Sequence, residues 1–449
     1  MFDKVVVANR GAVAARVLRA LGEMGVHSVA VYSEADEAAP YLAMASESYA
    51  IGPAPPRESY LDQDALVEVV RKSRADALHP GYGFLSENAA FAQRVIDSGA
   101  CFIGPSPRWI EAMGHKTRAR SLAAEYGMPI SQGSDVLPAE PQAILEAARA
   151  IGFPVLVKPA GGGGGIGMLP AQDEAQLLQA VERSRSMAVR GFGNAEVYLE
   201  RLLERPRHVE FQVLGDRHGA AAHLFERDCS VQRRNQKVIE EAGAPGLDRA
   251  HVEQTAKRIA DIVQRMGYDN IGTVEMLYGA DGSFNFLEMN TRLQVEHGVT
   301  EEVTGVDLVK SQIRSADGEQ LSAILPRTLA LVGHAIEARV YAEDPKNFFP
   351  SPGRLEVFRP PQDPDIRVET GFAEGRDVTP HYDPMIAKVI VHGENRSQAI
   401  DRLIEALEGF EIRGVKNNIP AVLAILRSEP FRAGDVHTGL IPEVLKKKS

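Results

Sequence analysis

Short apolar runs alternate with stretches of helical periodicity through the N-terminal part of the chain. Val5–Ala8 reads as a buried strand, Ala12–Met24 as a helix, Ser28–Tyr32 as a second strand and Ala100–Ile103 as a later one. Apolar strands separated by amphipathic helices predict a mostly parallel sheet covered by helices. Farther on, the strand Val155–Val157 leads into the glycine tract Gly161–Gly165, and the helical stretch Glu174–Arg185 follows. That arrangement predicts a mobile flap. From about Glu196 the strands come in hairpin order, with Val209–Leu214, Ala221–Phe225, Gly272–Tyr278 and Phe284–Met289, so a mixed or antiparallel sheet is expected. The proline-rich segment Pro350–Pro364 breaks regular structure. Beyond it, a strand at Met385–His392 and a helix at Gln398–Leu407 suggest a smaller α+β unit.

Composition narrows the function classes. The 449 residues carry 61 acidic and 50 basic side chains, a net charge of −11. An acidic chain has no broad surface for a phosphate backbone, so nucleic acid is not an expected partner. No apolar run reaches the roughly 18–20 residues needed to cross a bilayer, and the chain opens on a strand rather than a cleavable leader. Cys101 and Cys229 are far apart and in no metal-ligand spacing, which fits free buried thiols in a reducing cytoplasm.

Several segments carry candidate chemistry. Gly162, Gly164 and Gly167 match G-x-G-x-x-G, but Pro170 interrupts before any helix begins, so the dinucleotide fingerprint fails. What remains is a loop whose N–H groups can approach phosphate, entered beside Lys158. A hairpin turning at Asp281-Gly282 would set Glu275 directly opposite Glu288. Facing carboxylates repel unless a hard cation such as Mg²⁺ lies between them. Downstream, Glu288, Asn290, Arg292, Gln294 and Glu296 occupy every second position. In an extended strand they would share a face about 26 Å long, which implies two adjacent subsites. Glu288 and Asn290 would serve the metal, while Arg292 and Glu296 would offer a cation for a small anion and a carboxylate base. The basic run Arg227–Lys237 suits an anionic substrate, although a structural ion-pair cluster would look the same. His79, in His79-Pro80-Gly81-Tyr82-Gly83-Phe84, lies at a strand end where α/β sheets present ligand sites; a lone histidine there is more often structural than catalytic.

Together these segments resemble the biotin carboxylases of the ATP-grasp superfamily. The likeness covers nearly the whole chain. It rests on Ala8-Asn9-Arg10-Gly11, the stretch from His79 to Asn88, Lys116, Lys158 with the glycine tract, Arg207-His208-Val209-Glu210, Arg227 to Lys237, Glu288 to Glu296, Glu337-Ala338-Arg339 and Tyr382 to Lys388. The resemblance implies an α/β fold with a Rossmann-like pre-ATP-grasp domain over residues 1–114 and an ATP-grasp domain over 115–328. A glycine-rich lid at about 132–200 and a C-terminal α+β biotin carboxylase domain over 329–449 complete it. It implies that bicarbonate attacks the γ-phosphate of ATP, with Mg²⁺ or Mn²⁺, to give carboxyphosphate. The CO₂ derived from it is then captured by biotin on a carrier domain. By the same resemblance Lys116, Lys158, Gly163, Gly164, Gly165, Glu200, Leu203, His208, Gln232, Asn235 and Leu277 contact the nucleotide, and Glu275, Glu288 and Asn290 serve the metal. Lys237 and Arg292 grip bicarbonate, Glu296 deprotonates it, and Arg339 stabilises the enolate-like oxygen of ionised biotin.

Three positions depart from the family pattern: Ala12 replaces an acid, Ile166 stands where Lys or Arg is usual, and Asn235 where His is common. Ile166 and Gly298 resemble the urea carboxylase branch. With no biotin-attachment Met-Lys-Met before Ser449, the biotin carrier and carboxyltransferase are expected on separate chains unless this chain is a domain of a longer protein, and a homodimer is expected. An ATP-grasp ligase acting on a free amine or amide, or a non-catalytic ATP-binding assembly protein, are the alternative readings.

Overall fold

A computed structural model describes residues 1–161 and 166–446. Five parallel strands, β1 (Lys4–Val7), β2 (His27–Tyr32), β3 (Glu47–Ala50), β4 (Ala77–His79) and β5 (Cys101–Phe102), form the first sheet in the order β3-β2-β1-β4-β5. Val5, Val6 and Val7 are fully buried because helices cover both faces, as a parallel sheet requires. The helix Gly11–Glu23 buries the stripe Val13, Val17 and Leu21 on one side. Gln63–Ser73 and Ala89–Asp97 cover the other. At the strand ends, Asn9 Nδ2 donates to Pro80 O and Tyr82 O, each at 2.8 Å. Gly81 has φ +64°, and a Cβ there would lie 2.9 Å from Val13 Cγ2, so only glycine fits. This loop carries Glu87 toward the site.

The flap region has its own small antiparallel sheet. Here β6 (Val155–Pro159) lies between β7 (Leu169–Ala171) and β8 (Val197–Arg201), packed on the helices Pro141–Ile151 and Glu174–Phe192. Of the expected phosphate-binding glycines, Gly163, Gly164 and Gly165 lie outside the described residues.

The main sheet has eight strands. In chain order come β9 (Arg207–Gly215), β10 (Ala221–Arg233), β11 (Gln236–Ala242), β12 (Asn270–Tyr278), β13 (Phe284–Asn290) and β14 (His334–Tyr341). Short β15 (Gly353–Arg354) and β16 (Val357–Arg359) occupy the proline-rich segment, and β17 (Ile366–Glu369) follows. β18 (Asp377–Val378) pairs with β15, β19 (Met385–Gly393) is long, and β20 (Glu411–Arg413) pairs with β16. The sheet order is β13-β12-β9-β10-β11-β14-β19-β17. Apart from the two small pairs β15–β18 and β16–β20, the C-terminal strands β14, β19 and β17 do not form a sheet of their own. They extend the central one through the antiparallel pairing of β11 with β14.

Two local expectations need correction. Glu275 does pair with Glu288, but the turn is not the two-residue one expected. Gly282 N bonds to Gly279 O, and Gly282 itself has φ +80°, giving a three-residue turn. A register shift between Glu275 and Met276 then restores the pairing. The run from Glu288 to Glu296 is also not one extended strand. It leaves β13 at Asn290 and turns into the helix His297–Thr304.

Candidate active site

The lid sheet, the main sheet and the C-terminal strands enclose a cleft of about 590 Å³. Its walls include Lys116, Lys158, Glu200, Leu203, His208, Gln232, Asn235 and Leu277. Glu275, Glu288, Asn290, Lys237, Arg292, Glu296 and Arg339 line the same cleft. Every described residue singled out for the site by the resemblance thus faces one space. His79 does not. It is buried, its Nδ1 accepts from Gly81 N at 3.0 Å, and burial pushes its pKa down to about 3, so it is a neutral structural group.

Lys237 lies at the centre. Its Nζ is 2.5 Å from Glu210 Oε2, 2.8 Å from Glu275 Oε1 and 2.6 Å from Glu296 Oε1. Burial by itself would raise the Glu296 carboxyl, but the ammonium of Lys237 and the guanidinium of Arg339 hold it below the ordinary range. Glu275 is held lower still by Lys237 and His208, again against burial. Burial would neutralise His208. The carboxylate of Glu275, 3.2 Å from Nε2, instead pushes its pKa up to about 9. Gln232 Nε2 contacts His208 Nδ1 at 3.0 Å.

The segment after β13 keeps its polar side chains together despite the turn. Arg292 donates to Asn290 Oδ1 at 2.9 Å and to Gln294 Oε1 at 2.7 Å, and Gln294 donates to Glu275 Oε1 at 3.0 Å. Arg292 Nε also reaches Glu87 Oε2 at 2.7 Å. Arg339 joins Glu240 Oε1 at 2.5 Å to Glu296 Oε2 at 3.0 Å. Elsewhere on the cleft wall, Glu200 holds Lys158 at 2.9 Å and Arg120 at 3.1 Å, while Lys116 lies 3.4 Å from Glu288.

The basic run divides between the two readings. Arg227 is buried and spent on Glu210, Gln212, Thr273 and Thr300, and Arg233 is paired with Glu343. Gln232, Asn235 and Lys237 face the cleft. Cys229 is free and buried beside Glu296, whereas Cys101, expected buried, is half-buried. Ile166 is half-exposed outside the cleft lining, next to Gly191 of the lid helix. Gly298 lets its helix approach β19, since a Cβ there would lie 2.4 Å from Ile390 Cδ1.

Glu87, Glu210 and Glu240 were not singled out from sequence. Glu210 had a signal, because it lies two positions from His208 on the same strand face. Glu87 and Glu240 had none locally, since their partners are far away in the chain.

Residues 1–110 match the family described as biotin carboxylase, N-terminal domain. Residues 115–324 match the carbamoyl-phosphate synthase L chain, ATP binding domain, and 337–443 the biotin carboxylase C-terminal domain. Biotin carboxylase of Halalkalibacterium halodurans is 45% identical over 100% of this chain and 99% of its own. Biotin carboxylase 2 of Bacillus subtilis is 46% identical over 99% of this chain and 100% of its own. The biotin carboxylase domain dimer of Hydrogenobacter thermophilus 2-oxoglutarate carboxylase, solved with MgADP, ADP and bicarbonate, superimposes with a TM-score of 0.95. It is 42% identical, with 99% of both chains covered. The fold is α/β with the ATP-grasp arrangement, and the chain belongs to the biotin carboxylase family of ATP-dependent ligases.

Proposed function

We propose that the cleft transfers the γ-phosphoryl group of ATP to bicarbonate at its centre and hands the resulting CO₂ to biotin at the Arg339 end. The observation that carries this reading is the Lys237 cluster, in which one ammonium is held by three carboxylates between Arg292 and Arg339. Bicarbonate binding at Lys237 and Arg292 replaces the hold of Lys237 on Glu296. Losing that contact raises the Glu296 pKa, so the base strengthens as its substrate arrives.

Lys116 and Lys158 are placed to neutralise the nucleotide phosphates, with Glu200 orienting Lys158. Glu275, Glu288 and the Asn290 carbonyl offer the oxygen donors that a hard divalent ion takes. The buried Asn290 Nδ2 has no partner among the described residues and is free to donate to a phosphate oxygen. A divalent ion held there supplies charge neutralisation during phosphoryl transfer. His208, Gln232, Asn235, Leu203 and Leu277 complete the nucleotide wall.

Arg339 is positioned to receive the ureido oxygen of biotin as negative charge develops on it. We take the enzyme to be cytoplasmic and homodimeric, with a biotin carrier and a carboxyltransferase as its partners. The test is ATP hydrolysis by the purified chain. It should require bicarbonate and Mg²⁺ and rise when free biotin is added. Hydrolysis that ignores bicarbonate, or that responds to small amides and not to biotin, would refute the reading.

A further inference from the structure

Behind the cleft, Glu240 of β11 stands directly across from Glu337 of β14. Both side chains are fully buried. Glu240 spends Oε1 on Arg339 Nε at 2.5 Å, and Glu337 spends Oε2 on Lys388 Nζ at 3.4 Å. The remaining oxygens, Glu240 Oε2 and Glu337 Oε1, are buried and accept from nothing among the described residues. Residues directly opposed in an antiparallel pair project from the same face, with Cβ atoms about 4.5–5.5 Å apart. Two ionised carboxylates there would leave two desolvated acceptors side by side with no donor. A single proton turns one of them into the donor that the other lacks.

We propose that Glu240 and Glu337 share one proton, and that Glu240 is a positioning residue whose charge sets how strongly Arg339 holds the biotin oxygen. The second half rests on the role assigned to Arg339 above. The surroundings agree. Glu240 is faced by Arg339, Glu337, Glu296 and Lys237; Glu337 by Lys388, Arg339, Glu369 and Glu296. Tyr341 faces Arg339 and Tyr82 faces Lys388, while Arg367, Arg16 and His297 face Glu369. Burial, with each carboxylate repelling the other, pushes Glu240 up to about 8 and Glu337 to about 7, against the pull of Arg339 and Lys388. The two titrate as a pair. Above that range the proton leaves to solvent and a second negative charge stands behind Arg339, drawing its field away from the cleft. The KM for biotin then rises with pH.

Infrared difference spectroscopy over a pH titration of the full chain reads the proton directly. The wild type should show a protonated-carboxyl carbonyl band that is lost between about pH 7 and 8. E240Q and E337Q should each remove that same band, because either substitution leaves the other carboxyl without its like-charged neighbour. E343Q is the control, since burial also raises Glu343 to about 7. In the activity arm, the wild-type KM for free biotin should rise on the order of tenfold from neutral to alkaline pH, the scale of one charge-assisted hydrogen bond. In E337Q it should stay flat. Should a single variant not fold, the double variant E240Q/E337Q has no carboxylate left unpartnered, and it should lack the band and show a flat KM. Variants that remove different bands, or neither, overturn the shared proton. An unchanged pH dependence of KM in E337Q overturns the positioning role. A wild type indifferent to biotin overturns the reading of Arg339, and the infrared result then decides the proton alone.

Discussion

Glu296 illustrates how a buried acid is kept useful. It is fully enclosed, yet Lys237 at 2.6 Å and Arg339 at 3.0 Å keep it ionised, as the proposed role of base requires. Glu296→Gln retains the shape and would lose the proposed base. Bicarbonate-dependent ATP hydrolysis should fall about 10²–10⁴-fold while nucleotide affinity, measured by calorimetry, is unchanged. Arg292 depends on a partner from another part of the chain. Glu87 is 39% exposed and reaches Arg292 Nε at 2.7 Å, so solvent screening limits its contribution. Glu87→Gln should therefore raise the KM for bicarbonate only about two- to fivefold, with kcat nearly preserved. A larger effect in steady-state kinetics would mean that Glu87 touches substrate.

At the scale of elements, the hairpin of β12 and β13 shows how far a pattern can be read. That these two strands pair as a hairpin was legible from strand alternation, but the facing of Glu275 and Glu288 came out as expected only because a register shift compensates for a turn one residue longer than expected. The turn length and the register shift were not legible, because each is a backbone adjustment that leaves the residue types unchanged. The alternation from Glu288 to Glu296 was legible as shared purpose but not as shape. Beyond Asn290 the chain is held by side-chain bonds from Arg292 and Gln294, which no period-two rule describes. A second element-level contact lends itself to measurement. Glu241 on β11 receives Arg396 Nε at 2.6 Å and His334 Nε2 at 2.8 Å, pinning the helix Arg396–Glu408 to the sheet. Burial would raise the Glu241 carboxyl, but His334 and Arg396 hold it below its ordinary 4.5. Its stabilisation is thus complete above the unfolded-state value and lost as pH falls through the lower folded one. Glu241→Gln should destabilise by about 3 kcal/mol at neutral pH, as expected when one partner of a buried ion pair is removed. In chemical denaturation the gap to wild type should narrow as pH drops below the ordinary carboxylate range.

The whole molecule is organised around a sheet that ignores sequence order. β14, β19 and β17 come last in the chain, yet they continue the surface begun by β9 to β13, and Arg339 reaches Glu296 across that continuation. The sequence showed texture changes along the chain. It could not show that strands on either side of one such change share hydrogen bonds, since pairing between distant segments leaves no local period. A chain cut after residue 328 should expose the edge of β11 and the apolar side of Val238 and Ile239. It should be recovered as aggregate, and co-expression with residues 329–449 should restore soluble protein, read by gel filtration.

The lid sheet differs in one respect from everything around it. None of its three strands is laddered into the eight-stranded sheet, and its apolar residues, among them Ile144, Val155, Leu177 and Leu199, pack on one another. The chain enters and leaves it near Pro129 to Gly133 and near Leu202 to Pro206, and a few polar bonds fasten it to the segment 115–120: Lys116 N to Ala160 O, His115 to Glu196 and Arg120 to Glu200. Swinging this unit as a body would leave its interior contacts intact and ask the two crossings to flex and those few polar bonds to exchange. In the proposed reaction, admission of nucleotide and release of product would then be a matter of joints rather than of melting, and their rate should follow solvent viscosity more closely than the stability of the lid.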